Sequence, residues 1–216
     1  MTAYPQTRLL NKGLAAVFEQ CGELHDRIEI IDRRANIEAS TFPSEIVTCR
    51  LEGQRVVRLL CKYSIDLDRE VYGHRGGVEY EARVYRSVLQ QIELSVPRFY
   101  GIYEEPESDR SWLILGYLIN TIRVSRTPDP DDLLKAAHWL GCFHAYNEAR
   151  LKQGGLTFLR RYDAGYYLGW THRALLFAKQ RSRSLSWLHS LCARFETQVG
   201  ELLSEPLTVI HGEFYP

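Results

Sequence analysis

Between residues 28 and 63 the apolar positions come in short β-branched runs: IEIIDRR, then EIVTCRLEGQRVVRLLCKY, in which two such runs flank Glu52-Gly53. Runs of this kind read as strands, and the Glu-Gly between them as a hairpin turn, so about three strands are expected here. The rhythm then changes. Residues 77–92, GVEYEARVYRSVLQQI, carry Val78, Ala82, Tyr85 and Leu89 at i, i+4, i+7 and i+11, the spacing of one helical face. After Pro97, PRFYGIYEEP and SWLILGYLIN read as two more strands joined by a polar turn around Glu107, Ser108 and Asp109. A short amphipathic helix over 14–24 precedes this block. The first half is expected to be a small sheet with one helix.

Beyond Thr121 the pattern becomes helical. Pro128 and Pro130 punctuate a linker, Asp129 or Asp131 can cap a helix, and DDLLKAAHWLGCFHAYNEAR repeats apolar residues at Leu133, Ala137 and Leu140 until Gly154-Gly155 stops it. Further helices are expected near 164–180 and 185–203, the second with Leu188, Leu191, Phe195, Val199 and Leu202 on one face. Pro206 ends that helix, and LTVI reads as a short strand delivering HGEFYP. The expected class is α+β, in three parts: an N-terminal helical extension (1–27), a β-rich lobe (28–120) and a helical lobe (121–216). Two-lobe plans commonly hold a ligand between the lobes.

Composition narrows the partners. The 216 residues are 45% hydrophobic and 25% charged, and 27 Lys and Arg balance 27 Asp and Glu, so no net field draws the chain to nucleic acid or an anionic membrane. The first thirty residues contain no long apolar run after a basic start, and no window approaches the roughly 20 apolar residues that span a bilayer; a cytoplasmic protein is expected. Five cysteines without CxxC spacing read as reduced, mostly buried thiols. His138 and Cys142 are four apart on a helix, but His144 is turned about 160° from Cys142, so no metal site is expected within the chain. His144 falls on the Leu133 stripe and reads as a hydrogen-bonded core histidine. Tyr162, Tyr166, Tyr167 and Trp170 either line an acceptor pocket or pack a core.

The candidate chemistry begins with a misplaced charge. In a helix over 78–89, Glu81 falls inside the apolar arc of Val78, Ala82, Tyr85, Val88 and Leu89, while Glu79 points away with Arg83 and Arg86. A carboxylate on the apolar side costs free energy unless paired. Lys62, which shares a strand face with Arg58 and Leu60, is the cation the preceding strand offers. A strand-end lysine also reads as a solvated edge residue, and the pair as purely structural, yet a strand lysine joined to a helix glutamate is how a phosphate-gripping lysine is held. At the other end, VIHGE is either an exposed turn or the strand-to-loop element that presents an acid to an acceptor hydroxyl. His211 then reads as a tie from the loop to the core rather than a proton shuttle.

Lys62, Glu81 and HGEFYP in that order, with SWLILGYL between them, resemble the aminoglycoside phosphotransferase and choline kinase-like group of small-molecule kinases. The resemblance runs from about residue 28 to the last, through CKYS, GGVEYEARVYRSVL, VPRFYG, LILGYL, LGCFHA and VIHGEFYP. It implies a protein-kinase-like two-lobe fold, with a complete β-rich N-lobe and a partial helical C-lobe, and ATP-dependent transfer of a phosphoryl group to the hydroxyl of a small molecule. Under it, Lys62 would contact the α- and β-phosphates and Glu81 would hold Lys62. The backbone of Gly116, Tyr117 and Leu118 would receive the adenine, and Glu213 would stand in the place of the catalytic aspartate.

Three departures from the family pattern are plain. HGE replaces HGD, so the acid is one methylene longer. The stretch IEASTFPSE lacks glycine, so the hydroxyls of Ser40 and Thr41 and the backbone N–H groups would serve as the phosphate-covering loop. The chain stops before the asparagine and aspartate that hold Mg²⁺ in the family, so the expectation is a chain cut inside the catalytic loop, inactive as it stands, with its Mg²⁺ ligands beyond residue 216. Two other readings stand beside this one: a noncatalytic kinase-like module that binds nucleotide or a partner protein, and an unrelated α+β protein whose HGE is an ordinary turn.

Overall fold

From Leu59 to Tyr63 the residues of one strand alternate between buried and part-buried, because one of its faces is covered more deeply than the other. The computed structural model describes residues 4–23, 27–37, 41–66, 76–106, 108–179 and 185–210. Five strands form one antiparallel sheet: β1 (Glu29–Ala35), β2 (Ser44–Arg50), β3 (Val56–Tyr63), β4 (Phe99–Glu104) and β5 (Ser111–Gly116), in the order β1-β2-β3-β5-β4. The described residues also hold five α-helices: α1 (Thr7–Gln20), α2 (Val78–Ser87), α3 (Pro130–Lys152), α4 (Ala164–Lys179) and α5 (Ser186–Leu202). The class is α+β. The hairpin between β2 and β3 closes with the Leu51 N–H on the Arg55 carbonyl at 2.8 Å, and its turn puts Gly53 at φ 73° and Gln54 at φ 65°. Glycine accepts that conformation freely, whereas glutamine resists it by roughly 1–2 kcal/mol.

One face of the sheet carries α1, whose Leu10, Leu14, Val17 and Phe18 are buried in one cluster with Val47, Cys49, Leu59, Cys61, Tyr63, Trp112 and Ile114. The other carries α2, with Val78 and Ala82 against Phe42, Phe99, Leu113 and Leu115. Helix α1 starts at Thr7, a full two turns before the expected position, and Gly13 lies in its middle. The reason is close approach: a Cβ on Gly13 would sit 2.4 Å from Cζ3 of Trp112. A mid-helix glycine costs about 1 kcal/mol, and burying Leu10 and Leu14 at about 1.5–3 kcal/mol each more than offsets it.

The chain divides after Trp139, inside α3, into two compact units. At the start of α3 the Asp131 N–H donates to Asp129 Oδ1 at 2.9 Å, so Asp129 is the cap and Pro130 the first helical residue. Gly154, at φ 76°, turns the chain out after Lys152. The stripe Leu133, Ala137, Leu140 is not the buried one; Leu133 and Ala137 are exposed, and Phe143 and Asn147 are buried instead. In the second unit α4 and α5 meet through the Tyr167–Phe195 ring contact and a Thr171–Glu196 hydrogen bond at 3.2 Å. Cys192 and Val199 are buried, while Leu191, Phe195 and Leu202 stay at least a third exposed. Residues 207–210 do not form the expected strand: their backbone is irregular, because no strand among the described residues pairs with them. Thr208 Oγ1 donates instead to the His144 carbonyl at 2.9 Å. Among the described residues, no helix is long and apolar enough to cross a membrane.

Two outcomes follow from this core. Gly13→Ala, ordinarily a stabilising change in a helix, is expected to lower the unfolding free energy by about 1–3 kcal/mol in urea titration, because the methyl meets the Trp112 ring. Burial also pushes the Cys49 thiol up to about 12 from 9.0, and raises Cys61, Tyr63 and Tyr85. These groups keep their protons when folded and lose them at ordinary values when unfolded. The folded chain therefore binds more protons, and stability present below about pH 9 is lost as pH rises further. The urea midpoint should fall between about pH 8 and pH 10.5; a steady or rising midpoint contradicts the assignment.

Candidate active site

Lys62 sits opposite Ser44 on β2 and opposite Leu113 on β5. Residues directly opposed in an antiparallel pair share a face, and Leu113 belongs to the cluster under α2, so the lysine projects toward that helix. Helix α2 sends Val78 and Ala82 into the sheet and leaves Glu79, Arg83 and Arg86 exposed. Glu81 lies on the near flank, its N–H bonded to the Gly77 carbonyl at 3.1 Å. The Lys62 ammonium donates to Glu81 Oε2 at 2.6 Å, with side chains 26% and 32% exposed. One turn further along, Tyr85 stacks on Phe99 with centroids 5.9 Å apart; burial and, secondarily, the Glu81 charge push its hydroxyl upward.

The residues just before β2, Thr41 to Pro43, lie beside the same place. The Asn36 N–H donates to the Ser44 carbonyl at 2.8 Å and its amide to Ser44 Oγ at 3.1 Å, while the Tyr63 N–H reaches the Pro43 carbonyl at 2.9 Å. These bonds bring Thr41 and Phe42 to the end of β3. Phe42 is buried, and the Lys62 ammonium lies 5.7 Å from its ring centroid, an attraction of about 0.5–1 kcal/mol. Phe42 was absent from the sequence reading; the signal was an aromatic residue before Pro43 in an otherwise polar loop. Ser40, His211 and Glu213 lie outside the described residues.

Gly116 is the last residue of β5, and Tyr117 and Leu118 follow it. Gly116 pairs with Leu59, three residues from the Lys62–Leu113 pair, or about 10 Å along the strand. The Gly116 N–H donates to the Arg98 carbonyl at 2.7 Å and the Tyr117 N–H to the Arg58 carbonyl at 2.9 Å. Tyr117, Leu118, Ile119 and Ile122 are all exposed, an apolar run on the surface where the strand ends. Among the described residues no group of three or more His, Cys, Asp or Glu side chains gathers into a metal site.

A second ion pair on the opposite face of the sheet has a different character. Glu45 is 4% exposed, and Arg33 grips it with two hydrogen bonds of 2.9 and 2.7 Å. Tyr63 donates its hydroxyl to the same carboxylate, and Arg33 also reaches Thr7 Oγ1 at 3.2 Å and the Pro5 carbonyl at 2.9 Å. This network pins the entry of α1 to the sheet. The sequence reading missed it too, although Glu45 shares the inward parity of Val47 and Cys49 on β2.

The two pairs should separate in a denaturation experiment. A pair as exposed as Lys62–Glu81 contributes at most about 1 kcal/mol, so Lys62→Met is expected to change the unfolding free energy by less than that. Glu45→Ala strands the half-buried Arg33 guanidinium and is expected to cost about 3–5 kcal/mol. Comparable losses in both variants contradict this division. Compared with protein-family models, curated proteins and solved structures, the chain has no match.

Proposed function

We propose that the chain is a kinase-like nucleotide-binding protein of the aminoglycoside phosphotransferase and choline kinase-like kind, directed at the hydroxyl of a small molecule. The observation that carries the reading is the Lys62–Glu81 pair at 2.6 Å, a lysine of the third strand held by a glutamate of the helix that follows it, which is the arrangement that positions the phosphate-binding lysine in protein kinases. An ammonium has three donors. Glu81 takes one, and Phe42 flanks the group, leaving two N–H bonds for the oxygens of the α- and β-phosphates. Charge-assisted bonds of this type are about twice as strong as neutral ones, whereas the pair contributes little to folding. Its use is positional.

In this reading the backbone at Gly116, Tyr117 and Leu118 receives the adenine, about 10 Å along the sheet from the lysine, and the exposed apolar run there offers the flat base a surface. Thr41 and Ser40 belong to the loop over the phosphates. Glu213 serves as the acid that accepts the acceptor hydroxyl's proton, with His211 tying its loop in place. Mg²⁺ supplies charge neutralisation in phosphoryl transfer, and its ligands are not among the described residues; the part assigned to these residues is the grip on the nucleotide. A second reading, nucleotide binding without transfer, is favoured by Glu213, because a misplacement of about 1 Å at the reacting centre costs on the order of a hundredfold in rate.

MgATP should raise the melting temperature of the chain, and Lys62→Met or Glu81→Gln should each weaken binding by about tenfold or more. Affinity unchanged in both variants sinks the reading. Binding without phosphate transfer to any of a panel of amino- and hydroxyl-bearing acceptors selects the noncatalytic form.

A further inference from the structure

A second hollow lies outside the Lys62 site. It has a volume of about 260 Å³ and is lined by Gln20 and Cys21 at the end of α1, Arg86 and Gln90 at the end of α2, and Phe99 and Gly101 on the edge strand β4. We propose that this hollow binds a small aromatic carboxylate.

Three features support it. The Arg86 guanidinium lies 5.8 Å from the centre of the Phe99 ring, and no carboxylate of the described residues forms an ion pair with it. It is a cation above an aromatic floor, with its planar fork available for a bidentate partner. Tyr100, also in the lining, carries the Arg98 guanidinium 4.5 Å from its ring. Glu23, which pairs with that cation, is already shared by Arg98 and Arg55, and the lining holds one cation, Arg86, and no carboxylate. The third feature is the backbone. β4 carries a bulge between Phe99 and Gly101, and Gly101 sits at φ 154°, where a Cβ would come within 3.1 Å of Val17. The bulge turns the strand out of register at the floor of the hollow, a device common beside binding sites.

The amides set the orientation. Gln90 donates one of its two amide hydrogens to the Phe99 carbonyl at 3.4 Å, leaving the other for a carboxylate oxygen. A volume of this size lies just below the range of drug-sized ligand sites and suits one or two fused rings. The carboxylate meets Arg86, and the ring fills the hollow between the ends of the two helices. The inference is independent of the nucleotide reading, since neither Lys62 nor Glu81 lines the hollow.

The test uses the full chain, 2-naphthoate as probe and the neutral 2-naphthamide as its isostere, followed by amide chemical shifts. The expected result is saturable perturbation of Gln20, Gln90, Phe99 and Gly101, with the acid binding about tenfold more tightly than the amide, the worth of one charge-assisted contact. Arg86→Gln should erase that preference while Lys62→Met leaves it intact. Equal binding of acid and amide to the unsubstituted chain, perturbation confined to other residues, or a preference that survives in Arg86→Gln overturns the proposal.

Discussion

Strand β3 has a neighbour on each side and a helix over each face, so along its inner half, from Leu59 to Tyr63, each side chain goes to one helix or the other. Leu59, Cys61 and Tyr63 go to α1; Leu60 and Lys62 go to α2. A slip of one residue would exchange the two sets, driving the ammonium into the apolar layer beneath α1. The pairing of Ser44 and Leu113 with Lys62 prevents that slip, and the docking of Val78 and Ala82 sets where Glu81 can reach. The contact between the two charges is therefore a product of the sheet register and the helix face together.

The two faces divide the work. On the α1 side the carboxylate of Glu45 is enclosed and answered by Arg33 and Tyr63, so its removal leaves a charge without a partner. On the α2 side the pair remains in contact with water, which weakens its hold on the fold and leaves donors for something else. Depth of burial decides which ion pair is architecture and which is available for chemistry.

Much of this half of the protein was legible in the order of its residues. The runs over 28–63, the pair of strands after Pro97 and the inward flank of Glu81 all follow from local period, because each lies in an element packed against a continuous sheet. What was not legible depends on distant neighbours. Gly13 looks like a helix breaker until Trp112 is placed beside it. Phe42 looks like loop until the Asn36–Ser44 bonds fold it over β3. The apolar stripes of α3 and α5 predicted burial, yet Leu133 and Leu191 are exposed, since period tells which residues share a face but not whether anything covers it. LTVI had strand composition without a partner strand, and composition alone makes no ladder.

The seat of α1 on Trp112 has a temporal side. About a hundred residues separate Gly13 from the ring it rests on, and a ribosome adding roughly 5–20 residues per second takes about 5–20 s to cover that distance. During that interval Leu10, Leu14, Val17 and Phe18 have emerged, while the surface meant for them stays incomplete until Tyr100, Tyr103, Trp112 and Ile114 follow. Until then the apolar face of α1 is only partly covered, and its full seat is among the last contacts of this half to form.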